Sequence, residues 1–210
     1  MYFDSHAHYD DERFDDDRNE LLASFPDKGI ENVVNSSSDV ASSKASVALA
    51  EKYPFFYASV GVHPHEVEKM TEQDLLELET LSKHEKVVAI GEIGLDFYYD
   101  LSPRDMQRYW FKRQLELAER LDMPIIVHSR DAAQECFDII KASGVRKGVI
   151  HCYSGSAQMA KDYIDMGFYI GIGGSLTFKN NKKTVEVVEQ IPIEKILIET
   201  DAPYLAPVPY

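Results

Sequence analysis

Apolar residues fall into short runs that begin near Tyr2, Asn32, Phe55, Val87, Pro124, Gly148, Phe168 and Lys195. Between them, apolar positions recur at helical spacing from Arg18 to Phe25, Ala41 to Lys52, Glu72 to Leu81, Met106 to Leu121, Ala132 to Ala142, Gln158 to Met166 and Thr184 to Gln190. A short strand followed by an amphipathic helix is a βα unit, because parallel neighbours need a crossover of this length. Strands and helices alternating in this way through the whole chain predict an α/β fold, a TIM (β/α)₈ barrel rather than an open sheet. Boundary residues agree: Thr71 with Asp74 predicts a helix cap, Ser102-Pro103 a helix start, and Gly144 and Gly167 helix ends. No linker or repeat divides residues 1–210, so a single domain is expected.

The polar residues that close these runs are of one chemical kind. His6-Ala7-His8 ends the first, Glu92 follows Val87-Val88-Ala89-Ile90, His128 follows Ile125-Ile126-Val127, His151 follows Val149-Ile150, and Asp201 follows Ile196-Leu197-Ile198. Residues two apart on a strand share a face, so His6 and His8 point the same way. Parallel strands converge their C-terminal ends on one face, where barrels place their sites. Inward imidazoles and carboxylates are costly in a core unless a cation satisfies them. The pattern therefore predicts a metallohydrolase. His84, in Ser82-Lys83-His84-Glu85-Lys86, shows the contrasting case of a solvated surface histidine.

Composition narrows the picture. The chain has 210 residues, 44% of them hydrophobic, enough for a sizeable core. Cys136 and Cys152 show no CxxC spacing and predict reduced thiols with packing roles. No apolar run approaches the roughly 18 residues that span a bilayer, and no leader-like segment opens the chain; a cytoplasmic protein without membrane contact is expected. Nothing predicts an obligate protein partner. A net charge of −14 argues against sequence-independent nucleic-acid binding through a basic surface, although two divalent ions would reverse the sign locally. The acidic run from Asp10 to Asp17 is read as solvated surface leading into the first helix.

Taken in order, Asp4-Ser5-His6-Ala7-His8, Gly61-Val62-His63-Pro64, Gly91-Glu92-Ile93-Gly94-Leu95-Asp96, Pro124 through Ala132, His151-Cys152-Tyr153-Ser154-Gly155 and Glu199 through Leu205 resemble the motif series of the TatD family of metal-dependent hydrolases and DNases. The resemblance implies an amidohydrolase-like barrel and divalent-metal-dependent deoxyribonuclease action. It assigns one metal to His6, His8 and Asp201, a second to His128 and His151, and makes Glu92 the bridge. Four imidazoles favour zinc, manganese or iron on ligand softness, whereas the family is described as magnesium-dependent; zinc, manganese and magnesium all stay open. Tyr153 stands where the family commonly has phenylalanine. Family members also continue past the segment matching Pro209-Tyr210, so the barrel is expected to lack its last helix, with an apolar strip exposed and the Asp201 loop loosened.

The expected catalytic residues are Glu92, Asp201, which would orient water and accept its proton, and His63, which would contact phosphate or protonate the leaving oxygen. Arg130 and Lys179, placed in loops after the fifth and seventh strands, are candidate phosphate contacts, with surface charge the preferred reading of Lys179. His65 is left open. Glu199 is either a support to the metal site or an interior carboxylate bonded to lysine or arginine. The expected substrate is DNA, entered through single strands or strand ends because an acidic protein cannot hold a duplex along its length. The competing expectation is a small-molecule amide, ester or lactone hydrolase, since this fold serves both chemistries.

Overall fold

The computed structural model describes residues 1–210. Eight parallel strands pair in sequence order, β1 (Tyr2–Ala7), β2 (Ile30–Asn35), β3 (Phe56–Val60), β4 (Val87–Asp96), β5 (Ile125–Arg130), β6 (Gly148–Ile150), β7 (Phe168–Ile172) and β8 (Ile196–Ile198). Seven helices cross between them: α1 (Arg18–Ala23), α2 (Val40–Lys52), α3 (Glu72–Leu81), α4 (Arg104–Arg120), α5 (Ala133–Ala142), α6 (Ala157–Asp165) and α7 (Lys182–Gln190). This is the expected TIM-type barrel, nearly closed. The last seam, between β8 and β1, has no strand ladder. Hydrogen bonds join it instead: Ser5 Oγ donates to the Ile198 carbonyl (3.0 Å), Asp201 N–H to the His6 carbonyl (2.9 Å) and His8 N–H to the Ala202 carbonyl (2.7 Å). Asp4 accepts from Thr200 N–H (2.9 Å) and Oγ1 (2.6 Å), so the loop carrying Asp201 is tied down. Tyr2 and Phe3 of β1 and Ile198 of β8 are exposed.

Strand alternation sets two apolar layers. Ile125 and Val127 of β5 pack outward into a 41-residue cluster shared with the helices. Ile126, facing the other way, joins Val34, Ala89 and Val149 in a smaller interior cluster. His128 shares the face of Ile126, two residues on, and so emerges above an apolar floor. The same two-residue step carries Leu197 to Glu199 and Asp201.

Local chemistry explains the helix positions. Thr71 and Asp74 form the expected capping box of α3. α4 starts at Arg104, two residues before the first periodic apolar position, because Pro103 fixes the entering backbone. Its inner face carries two buried glutamines: Gln114 receives Val62 N–H (2.8 Å) and donates to the Val62 carbonyl (3.0 Å), and Gln107 receives Asp96 N–H (2.9 Å). They clamp the strand ends that lead to His63 and Asp96. Gly167 takes the left-handed conformation expected after α6 (φ 105°). Gly144 does not: the helix ends at Ser143 in extended conformation, and Gly144 N–H donates to Glu119 where a side chain would collide.

Two strands run further than expected. β4 continues through Glu92 to Asp96, pairing Gly94 with His128 and Asp96 with Arg130 of β5. Gly94 allows it, since any side chain there would strike the His128 carbonyl. Glu92 and His128 therefore lie within strands, and Arg130 is the last residue of β5 rather than part of a loop. No helix is long and apolar enough to cross a membrane.

Candidate metal centre

The other five candidate ligands gather around Glu92, whose carboxyl group is buried inside the barrel mouth. Its two oxygens face different partners. Oε2 lies 3.1 Å from His6 Nε2 and 3.7 Å from His8 Nε2, while Oε1 lies 2.9 Å from both His128 Nδ1 and His151 Nε2. Asp201 Oδ1 completes the first side, 3.6 Å from His6 Nε2 and 3.4 Å from His8 Nε2. The Nε2 atoms of His6 and His8 are 3.1 Å apart, and the rings of His6 and His151 stack at 3.8 Å. Three overlapping groups of donors result: His6, His8 and Asp201; His6, Glu92 and His151; His63, Glu92 and His128.

Three of the four imidazoles are oriented from behind. His8 Nδ1–H donates to the Ser36 carbonyl (2.8 Å), leaving its Nε2 lone pair toward the centre, and Ser36 Oγ meets His6 Nδ1 (3.2 Å). His128 is turned the other way: Nε2–H faces Asp96 (3.1 Å), and Nδ1 faces the centre. Backing of this kind fixes the tautomer that a metal requires. The centre fits divalent ions on these grounds. Two nitrogens bound to one tetrahedral ion stand roughly 3.3 Å apart, close to the spacing of His6 and His8. A carboxylate with an oxygen toward each donor set suits a pair of ions.

Electrostatics agree. Burial opposes ionisation of Glu92, yet His151, His6 and His63 hold it well below the usual carboxylate range. Burial likewise works against charge on His151, but the Glu92 carboxylate outweighs it and lifts the imidazole to about 10. That proton supplies positive charge where the carboxylates demand it, a demand that divalent cations meet in its place. Burial, with His151 adding repulsion, pushes His6 down to about 4, and burial also holds His63 well below its ordinary value. Both are neutral ligand-type imidazoles at neutral pH.

The remaining expected residues fall in several places. His63 Nε2 stands 3.5 Å from Glu92 Oε1, at the edge of the cluster. His65, left open by the sequence, bonds to Asp96 (2.8 Å) rather than facing solvent alone. Glu199 has no lysine or arginine partner; it accepts Cys152 N–H (2.6 Å) and lies 3.7 Å from His151 Nδ1, which has no hydrogen bond of its own. Burial raises its carboxyl to about 7. A side chain at Gly171 would collide with Glu199, so this glycine relieves the end of β7. Arg130 does not reach Glu92 but lies over the rings of Tyr98 and Tyr99, and Lys179 is exposed. Burial pushes both cysteine thiols up to about 12, so neither is a thiolate nucleophile. His84 pairs with Glu51 (3.2 Å), away from the site.

Sequence reasoning missed Asp4, Ser36 and Asp96 as supports. The two-residue rule that found His6 and His8 also puts Asp4 on their face, and Asp96 stands four residues beyond Glu92 on the same strand. Ser36 carried no comparable signal.

Comparison with known proteins places these features in a wider group. The sequence model described as TatD related DNase matches residues 3–210. A Bacillus subtilis protein named as an uncharacterized metal-dependent hydrolase, YabD, is 43% identical over 212 residues, covering 100% of this chain and 83% of its own length. A Salmonella typhimurium 3'-5' ssDNA/RNA exonuclease, TatD, is 33% identical over 208 residues, covering 98% of this chain and 80% of its own. The crystal structure of the Escherichia coli TatD homologue YjjV superposes with a TM-score of 0.93 at 33% identity, covering 100% of this chain and 82% of that one.

Proposed function

Since the chain belongs to the TatD-related DNase family and is a metal-dependent hydrolase, we propose that it hydrolyses phosphodiester bonds in single-stranded nucleic acid, acting at strand ends. The observation that carries this reading is the division of Glu92, one oxygen toward His6 and His8 and the other toward His128 and His151. His6, His8 and Asp201 would hold one divalent ion, His128 and His151 the other, with Glu92 between them. When bound, such a pair activates water near neutral pH and offsets charge on the entering and leaving oxygens of a phosphodiester.

The chain's own side chains do the rest. Asp201, held anionic because hydrogen bonding to His8 outweighs its burial, accepts the proton of the attacking water. His63 stands on the opposite side of Glu92 from Asp201's partners; neutral, with Nδ1 accepting from His65 N–H, it donates a hydrogen bond from Nε2 to the departing oxygen. Arg130 pairs with a flanking phosphate. A net charge of −14 repels an extended duplex, so productive contact concentrates at the mouth, where a flexible strand enters.

Labelled single-stranded and duplex oligonucleotides, assayed with manganese, magnesium or zinc and with chelator as control, test the reading. Chelator-sensitive cleavage of the single strand is expected. His63→Ala should lower turnover about 10²–10³-fold, the usual scale of a lost hydrogen-bond donor to a developing oxyanion, with far less effect on metal content. Turnover of a lactone or amide library with no oligonucleotide cleavage would transfer the enzyme to small-molecule hydrolysis.

A further inference from the structure

The segment after β4 places three aromatic rings and three arginines together in a strongly acidic protein. Arg104 and Arg108 lie 4.5 and 5.1 Å from the Phe97 ring centre, and Arg130 lies 4.2 Å from that of Tyr98 and 4.6 Å from that of Tyr99. Asp100 neutralises Arg104 and Glu135 neutralises Arg108. Arg130 is left without a carboxylate partner, held against two tyrosine rings. Those rings are 58% and 53% exposed, meet edge to face at 5.0 Å, and contribute little to the core. Exposed neighbouring aromatics of this kind mark a contact surface.

Their position is tied to the metal centre through one side chain. The N–H groups of Tyr98 and Tyr99 donate to Asp96 Oδ1 (3.0 and 2.8 Å), while Asp96 Oδ2 faces His128 Nε2 (3.1 Å) and His65 Nε2 (2.8 Å). The Tyr99 ring rests against that of His65 at 5.6 Å. A single buried carboxylate thus sets the two tyrosines in register with an imidazole of the centre.

We propose that Tyr98 and Tyr99, with Arg130 across one face of each ring, form a stacking subsite that holds an unpaired nucleobase of the substrate beside the metal centre. The inference rests on the nucleic-acid reading above and adds what selects single strands. An unpaired base offers an open π-face, which a base inside a duplex does not. Stacking on an aromatic side chain contributes about 1–3 kcal/mol per base and tolerates any sequence. Arg130, planar and already packed on the rings, meets the neighbouring phosphate with little further ordering. Selectivity then comes from the rings at the mouth rather than from surface charge.

The test compares the parent protein with Tyr98→Ala/Tyr99→Ala and Tyr98→Phe/Tyr99→Phe. Each is measured by fluorescence anisotropy and by steady-state hydrolysis on a fluorescein-labelled thymidylate oligonucleotide and on the same strand carrying abasic residues at its terminal nucleotides. The parent should favour the base-bearing strand, and the alanine variant should raise its Kd and KM about 10–100-fold. Turnover at saturation should change less than about threefold, the parent's preference for bases should vanish in the alanine variant, and the phenylalanine variant should keep it. Equal weakening of both strands would make the tyrosines a mere scaffold for Arg130 and overturn the subsite, as would an undiminished preference for bases in the alanine variant. A parent that neither binds nor cleaves either strand overturns the nucleic-acid reading and the subsite together; one that cleaves while the variant behaves identically overturns the subsite alone.

Discussion

The two flanks of Glu92 are built by different means. On one side, His6, His8 and Asp201 straddle the β8–β1 seam, where side-chain and loop hydrogen bonds replace a strand ladder. On the other, His128 sits within the long β4–β5 ladder, with Asp96 behind it and the α4 glutamines clamping the strand ends. Past a register shift between Ile90 and Ile93, strand pairing from Ile93 to Asp96 holds the second flank without a ligand. The first depends on Asp4, Thr200 and Ser36, so an ion drawing His6, His8 and Asp201 together also joins the last strand to the first. On the proposed ligand assignment, an ion at the seam would be coupled to barrel closure, and one at the ladder would not.

Removing the shared group should have the largest effect. Glu92→Ala is expected to lower occupancy on both flanks and cut activity by about 10³-fold or more, whereas His128→Ala mainly weakens one. Calorimetric titration with metal reads this directly. Undiminished binding at two sites in the Glu92 variant would contradict the bridging role and make the two flanks independent.

A finer separation comes from the supporting carboxylates. Asp96→Asn should lower metal affinity about 10–100-fold on the His128 flank and, because the buried carboxylate also accepts Tyr98 and Tyr99 N–H, lower the thermal midpoint of the chelated protein. Asp4→Ala, which removes the acceptor of Thr200 and His6 N–H, should lower that midpoint as well but weaken metal on the His6–His8 flank instead. Scanning calorimetry and metal titration check both, and loss of affinity on the same flank in the two variants would erase the contrast between seam and ladder.

The smallest effect concerns Glu199, close to His151. Burial raises its carboxyl from an ordinary 4.5 to about 7, so between those values the folded chain holds a proton that the unfolded chain has released. Stability from this group is complete below pH 4.5 and falls as pH rises toward 7. In chelated protein, Glu199→Gln should match the parent near pH 4.5 and gain up to about 3 kcal/mol above pH 7. Urea unfolding at both pH values measures the difference. A loss above pH 7 would mean that Glu199 is held ionised by His151 instead.

Most of the barrel was legible in the chain because its signals are local. The eight apolar runs, the helical periods between them, the Thr71–Asp74 cap and the left-handed Gly167 each depend on a few neighbouring residues. The features that differed, the extension of β4 through Glu92 and the capping of α5 without a left-handed Gly144, depend on remote partners: the His128 backbone in one case and Glu119 in the other.

By itself, the sequence determined which residues face the barrel mouth: strand alternation and the C-terminal convergence of parallel strands select His6, His8, Glu92, His128, His151 and Asp201 without any knowledge of distance. Tertiary structure alone decided how these groups are used. The split of the Glu92 oxygens, the opposite ring orientations of His8 and His128, and the linkage of His128 to Tyr98 and Tyr99 through Asp96 arise from contacts between residues far apart in the chain. A residue's face follows from backbone periodicity, but the direction of a lone pair follows from whichever partner the fold brings behind the ring.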